Sequence, residues 1–190
     1  MAYRLDSKPG HYAELILREL SRTASAVPDE ALASLAERIL QAKRVYTAGA
    51  GRSGLVMRGL AMRLMHLGIE TYVVGETVTP GIRESDLLII GSGSGSTQSL
   101  LGMAEKAKRL GAGIALLTTA ADSPIGRIAD VIVPIPAAAK EQTVSSPSVQ
   151  PMGSLFEQSL LVTLDAVVLM LMEIRSIDAS AMFARHANLE

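Results

Sequence analysis

The chain has 190 residues and no cysteine, which excludes a disulfide framework and thiol chemistry. It has no tryptophan, and the aromatic residues together make up 3%. Ala, Val, Leu, Ile and Met must therefore build the core, within an apolar fraction of 48%. Excess charge is also missing. A formal net charge of −1 argues against nucleic acid or an anionic membrane as the main partner. Residues 1–11 are polar and carry no apolar signal-peptide stretch. The most apolar run, 160–172, is interrupted by Asp165 and is too short to span a bilayer. None of the three histidines is spaced with carboxylates as a metal-ligand set, so no metal is expected. These absences leave a soluble cytoplasmic protein, one domain long enough to bury a sizeable core.

What is present is led by Gly91-Ser92-Gly93-Ser94-Gly95-Ser96-Thr97. It follows the apolar run Asp86-Leu87-Leu88-Ile89-Ile90 and precedes a helical-looking segment, 98–110. A strand that ends in glycines and hydroxyls and then turns into a helix is a phosphate cradle. Glycine permits positive φ and lets backbone N–H groups approach an anion closely. The helix that follows aims free N–H groups and a positive dipole end at the same point. Ser92, Ser94, Ser96 and Thr97 add hydroxyl donors. A flexible Gly/Ser linker has the same composition, but a linker would not be wedged between a buried strand and an amphipathic helix. No Lys follows the last glycine, so this is not the nucleotide P-loop pattern.

Upstream, residues 12–23 place Leu15, Ile16 and Leu20 at helical spacing. Pro28-Asp29-Glu30 opens a second helix with Leu32, Leu35, Ile39 and Leu40 on one face. Neither helix is basic, which weighs against a DNA-reading module. Strands and helices then alternate, with strands expected at 44–48, 71–74, 87–90, 114–118 and 131–134. The pattern predicts an α/β three-layer sandwich, a five-stranded parallel sheet with helices on both faces, flavodoxin-like or Rossmann-like. Ligands in such sheets sit beyond the carboxyl ends of the strands, where the chain order reverses. The expected organisation is a single domain, 1–190. It comprises N-terminal helices (1–43), an alternating core (44–134), a loop (135–153), and C-terminal helices with a tail (154–190). Long loops in compact domains are usually functional or mobile. Residues 154–175 read as a helix apolar nearly all round, which belongs inside the domain or, in so small a chain, between subunits.

The first loop, Gly49-Ala50-Gly51-Arg52-Ser53-Gly54, has the G-x-G-x-x-G spacing of dinucleotide sites. Glu76 lies about twenty residues on, where a ribose-binding acid belongs. Glu76 sits in a Gly-Glu-Thr turn, however, and a dinucleotide has no need of a second, Ser-rich cradle. Both glycine loops lie at one sheet edge and can converge on one ligand. Glu157 falls in the first turn of the apolar helix, where the dipole favours its charged form. A carboxylate there is a common surface acid. In an apolar segment behind Pro151-Met152-Gly153, it is also a candidate general base. His66 ends the helix that starts at the first glycine loop, where a lone His is commonly a packed residue. His186 lies in the tail, and His11 reads as structural or exposed.

Several segments carry a resemblance. They are Ala48-Gly49-Ala50-Gly51-Arg52-Ser53-Gly54, Ala61-Met62-Arg63-Leu64-Met65-His66-Leu67-Gly68, and Val74-Gly75-Glu76-Thr77 with Pro80. The loop 92–97, Gln150-Pro151-Met152-Gly153-Ser154-Leu155-Phe156-Glu157 and Arg185-His186-Ala187-Asn188-Leu189-Glu190 complete the set. On these the chain resembles the sugar isomerase (SIS) domain family, and within it the 6-phospho-3-hexuloisomerases. The resemblance covers nearly the whole chain, with 137–149 matching less clearly, so that Lys140 has no assigned role. It implies an isomerase that interconverts D-arabino-3-hexulose 6-phosphate and fructose 6-phosphate. Such an enzyme pairs with an aldolase, 3-hexulose-6-phosphate synthase, in the ribulose monophosphate route of formaldehyde fixation. The resemblance also implies a homo-tetramer.

Moving a carbonyl between C3 and C2 needs a base that takes a proton from one carbon and returns it to the other through an enediolate. It also needs donors for the negative oxygen. No redox cofactor or metal is required. Glu157 is the expected base. Ser53, Ser92, Ser94, Ser96 and Thr97, with the N–H groups of Gly93 and Gly95, are expected to hold the phosphate, and Gly51 and Arg52 belong to the same site. Fructose 6-phosphate is mostly a closed ring, whereas the 3-ketose has no free hydroxyl to close a comfortable one. Ring opening is thus needed in one direction only, with His66 the expected acid and His186 second. The alternatives are another phosphosugar aldose–ketose isomerase, a non-catalytic phosphosugar sensor of the kind found in transcription regulators, and a dinucleotide binder. Protection by NAD rather than by phosphosugar would mark the last.

Overall fold

The computed structural model describes residues 8–137 and 148–189. Most of the expected loop, including Lys140, therefore lies outside the described residues. The elements run α1 (Pro9–Ala24), α2 (Asp29–Gln41), β1 (Val45–Gly49), α3 (Gly51–His66), β2 (Thr71–Val73) and β3 (Leu87–Gly91). They continue with α4 (Gln98–Arg109), β4 (Gly113–Thr118), a single 3₁₀ turn (Gly126–Ile128), β5 (Val131–Pro134), α5 (Ser154–Ile174) and α6 (Ala179–Phe183). The five strands pair in the order β2-β1-β3-β4-β5, every pair parallel. This is the flavodoxin-like order, with its reversal at β1 and β3. All five expected strands are present, with ends shifted by at most one residue.

Strand alternation divides the core. Leu87 and Ile89 join Val45, Ala115, Leu117 and Val133 under α2, α3 and α5. Leu88 and Ile90 join Tyr46, Ile114 and Leu116 under Leu100, Ala104 and Ala107 of α4. A slip of one residue would exchange the two sets. The layers are unequal. One face carries α2, α3 and α5, with α1 packed on α5, and the other carries α4 and the 3₁₀ turn. At the β1–α3 corner, a Cβ on Gly54 would fall 2.7 Å from the Gly49 carbonyl oxygen. Strand and helix touch there backbone to backbone.

Helix α5 corrects one expectation. With 21 residues and a mean hydropathy of 1.8 over its most apolar stretch, it is long and apolar enough to cross a membrane, although the bare run 160–172 is not. Here 56% of its most apolar stretch is buried inside the protein. Leu155, Phe156, Leu160, Leu164, Val167 and Leu171 point into the core, while Leu161, Val162 and Leu169 are exposed. Its apolar character therefore does run round most of the helix.

Candidate active site

Helix α3 begins at Gly51, which has φ +56°. Ser53 is buried and Arg52 is exposed. Arg52 reaches α5. Its Nη1 donates to Ser154 Oγ at 3.1 Å and lies 3.0 Å from Glu157 Oε2. The Glu157 side chain is only 6% exposed and sits in the first turn of α5, where the positive end of the helix dipole favours an anion. The chain enters α5 through two consecutive left-handed residues, Met152 (φ 57°) and Gly153 (φ 77°). A residue with a Cβ is uncommon there and is held only by its surroundings. Pro151 O accepts both the Ser154 N–H, at 3.0 Å, and the Ser154 hydroxyl, at 2.7 Å.

The second loop is held from within. The Gly95 N–H donates to both Ser92 O and Ser92 Oγ, each at 3.2 Å. Ser92 is 4% exposed, and its own N–H donates to Leu117 O. The Gly95 N–H, expected to bind phosphate, is thus occupied in shaping the loop, while Ser92 Oγ accepts from it and keeps its own O–H as a donor. The sequence shows the hydroxyls but not which of them turn inward. Gly93 O accepts the Thr118 hydroxyl at 3.0 Å, the Thr119 hydroxyl at 2.8 Å and the Thr119 N–H at 3.1 Å. Ser94 and Ser96 are exposed and Thr97 is half-buried at the start of α4, where an anion can reach them. Thr118, Thr119 and Ser154 were not singled out from sequence. Thr118 and Thr119 are signalled by two hydroxyls at the carboxyl end of a strand of the same edge.

Close packing brings the loops to Glu157. A Cβ on Gly93 would stand 3.2 Å from the Phe156 ring, and one on Gly91 would stand 2.8 Å from Met57 Sδ and 2.9 Å from Leu160 Cδ2. The β3–α4 loop, α3 and the start of α5 therefore meet at the carboxyl edge of β1 and β3. Glu76 pairs with Arg58 of α3, so the acid at the ribose position already has a cation. Among the described residues, no group of three or more His, Asp or Glu side chains is placed to hold a metal ion.

The histidines lie elsewhere. His66 closes α3, about 22 Å along the helix from Gly51 at 1.5 Å per residue. Its ring stacks on His186, centroids 5.4 Å apart and planes 25° apart, while Arg185 donates to His66 O at 3.3 Å. Burial pushes the His66 imidazole below its ordinary 6.5, and the charges of His186 and Arg63 act in the same direction. The structure brings His66 and His186 together, but within one chain it does not bring either to Glu157. His11 is exposed on α1.

The SIS domain family model matches residues 38–168, which includes both glycine loops and Glu157. The chain belongs to the SIS domain family. This SIS domain chain is 49% identical over 184 residues to the 3-hexulose-6-phosphate isomerase of Bacillus subtilis (strain 168), covering 96% of this chain and 100% of that one. It is 49% identical over 176 residues to the 3-hexulose-6-phosphate isomerase of Mycobacterium gastri, covering 93% and 88%. Among solved structures, a hypothetical protein of Methanococcus jannaschii superposes with a TM-score of 0.82 at 35% identity, covering 95% and 99%. That structure is described as inferring a molecular function of 3-hexulose-6-phosphate isomerase.

Proposed function

We propose that the protein is a 3-hexulose-6-phosphate isomerase, interconverting D-arabino-3-hexulose 6-phosphate and fructose 6-phosphate. The observation that carries the mechanism is the buried Glu157 carboxylate, paired with Arg52 at 3.0 Å, where two glycine loops meet. Ser94, Ser96, Thr97 and the start of α4 receive the phosphate, with Ser53 at the start of α3. Ser92 and Gly95 shape that cradle. The anchored phosphate positions the distant reacting carbons. From open fructose 6-phosphate, Glu157 takes the proton on C3. The C3–H electron pair forms the C2–C3 double bond, and the C2 carbonyl becomes an enediolate oxygen. Arg52 supplies positive charge beside that oxygen. A proton moves between the oxygens, and Glu157 returns its proton to C2, leaving the carbonyl at C3. Every step is a proton transfer, so electrons balance without a redox partner.

His66 and His186 are the acids for ring opening. Their separation from Glu157 within one chain requires that they act on a neighbouring subunit's substrate. The exposed Leu55, Met62 and Met65 of α3 and Leu161, Val162 and Leu169 of α5 are the apolar surface such a homo-tetramer would cover. The synthase that makes 3-hexulose 6-phosphate is the functional partner, and the setting is a cytoplasmic ribulose monophosphate route.

The test is Glu157→Gln. Turnover of fructose 6-phosphate should fall by about 10²- to 10⁴-fold, the range for a lost general base, while fructose 6-phosphate still raises the melting temperature. Retained turnover would remove Glu157 from the base role. An inert wild-type enzyme that fructose 6-phosphate nonetheless stabilises would favour a sensor.

A further inference from the structure

Glu19 of α1 is buried, 6% exposed, and takes no part in the chemistry described above. Three donors from one short segment far along the chain reach its carboxylate. The Val149 N–H donates to Oε1 at 2.8 Å, and the Ser148 hydroxyl and Gln150 Nε2 donate to Oε2 at 2.7 and 2.9 Å. Replacing the carboxylate would take away the shared acceptor of three donors in residues 148–150, so Glu19 is what holds that segment to α1. Burial pushes the Glu19 carboxyl up, but the bonds from Gln150, Val149 and Ser148 and the charge of Arg22 outweigh it and hold it below its ordinary value.

The clamped segment leads straight to the active site. Pro151 O takes both donors of Ser154, Ser154 Oγ takes Arg52 Nη1, and Arg52 Nη1 stands 3.0 Å from Glu157 Oε2. Between clamp and helix lie the left-handed Met152 and Gly153. Met152 keeps that conformation only if the chain is fixed on both sides. Ser154 fixes one side and Glu19 the other. We infer that Glu19 is a positioning residue that sets the Arg52–Glu157 geometry through residues 148–151. This rests on the assignment of Glu157 as the base.

The experiment measures kcat, KM and melting temperature for two full-length variants, Glu19→Gln and Ser148→Ala/Gln150→Met. The second leaves α1 untouched. We expect kcat to fall about 10- to 100-fold, the scale of a reacting group misplaced by an ångström. KM for fructose 6-phosphate should stay within about twofold, because the phosphate hydroxyls stand on the β3–α4 loop. A merely structural Glu19 would lower the melting temperature and leave the kcat of folded enzyme unchanged. Wild-type kcat in both folded variants overturns the inference. If Glu19→Gln does not fold, wild-type kcat in the double variant overturns it alone. Glu157→Gln assayed in parallel separates the two ideas. An active Glu157→Gln sinks the base assignment, whereas an inactive one beside fully active Glu19→Gln and Ser148→Ala/Gln150→Met variants sinks only the positioning role.

Discussion

Gly95→Ala strikes the phosphate loop where it has no room. Gly95 holds φ +59°, and a Cβ there would fall 2.0 Å from Ser123 Oγ and 2.6 Å from Ser123 Cβ. A side chain in the left-handed region costs about 1–3 kcal/mol. Overpacking a filled site adds about 1–3 kcal/mol. The sum, about 2–6 kcal/mol, lowers the melting temperature by roughly 4–24 °C for a chain of this size. The displacement cannot stay local, because Gly95 N–H binds Ser92 and Gly95 O accepts the Ile125 N–H at 3.1 Å. Denaturant unfolding with and without fructose 6-phosphate is the assay, and ligand protection should shrink along with stability. In Gly95→Ala/Ser123→Gly the clash is gone and the φ strain remains. Roughly half of the loss should return relative to Ser123→Gly, which itself forfeits the Gly126 N–H to Ser123 Oγ bond at 3.2 Å. A Gly95→Ala protein within about 1 kcal/mol of wild type, with ligand protection intact, would refute the reasoning.

Ser94→Ala/Thr97→Ala should raise KM for fructose 6-phosphate strongly and leave stability within about 1 kcal/mol, since neither side chain is buried; an unchanged KM would move the phosphate elsewhere. If His66 serves a neighbouring subunit, His66→Gln and Glu157→Gln proteins that are each impaired should regain turnover when co-assembled, and mixed assemblies no better than their parents would contradict it. Glu19 and Asp130 are both held below their ordinary values, 4.5 and 3.8. For each, burial pushes up and is outweighed by hydrogen bonds and cations, Arg22 near Glu19, and Lys108 and Arg38 near Asp130. The unfolded chain then binds more protons in acid, so this stability is full above the ordinary values and is lost as pH falls through the folded ones. Denaturant midpoints should drop as pH falls below about 5, and Glu19→Gln should flatten part of that slope. His66, held below 6.5, makes stability fall as pH drops below 6.5, because the unfolded imidazole protonates first; His66→Gln should remove that component.

The strands were legible because parallel strands covered on both faces become uninterrupted apolar runs, as in Leu87-Leu88-Ile89-Ile90. The sheet edge of the candidate site followed from the parallel order, and the two glycine loops and Glu157 do meet there. Other features depended on contacts that no local pattern shows. Ser92 looks like Ser94 in sequence, yet one is buried under its own loop and the other is exposed. Glu19 carries no local signal, because its partners lie 129 to 131 residues away. The distance between His66 and the glycine loop was available from the length of α3, but family resemblance gathered both histidines into the mechanism without placing them. Both faces of α5 are apolar, so sequence alone could not say which one lies inside.

The most direct test of the enediolate isomerase is conversion of fructose 6-phosphate by the purified wild-type enzyme in deuterated water, followed by NMR. Formation of 3-hexulose 6-phosphate with deuterium on C2, and of fructose 6-phosphate re-formed with deuterium on C3, is the expected result, because the proton held by Glu157 exchanges with solvent before it returns. The absence of any 3-hexulose 6-phosphate, with fructose 6-phosphate still binding, would contradict it.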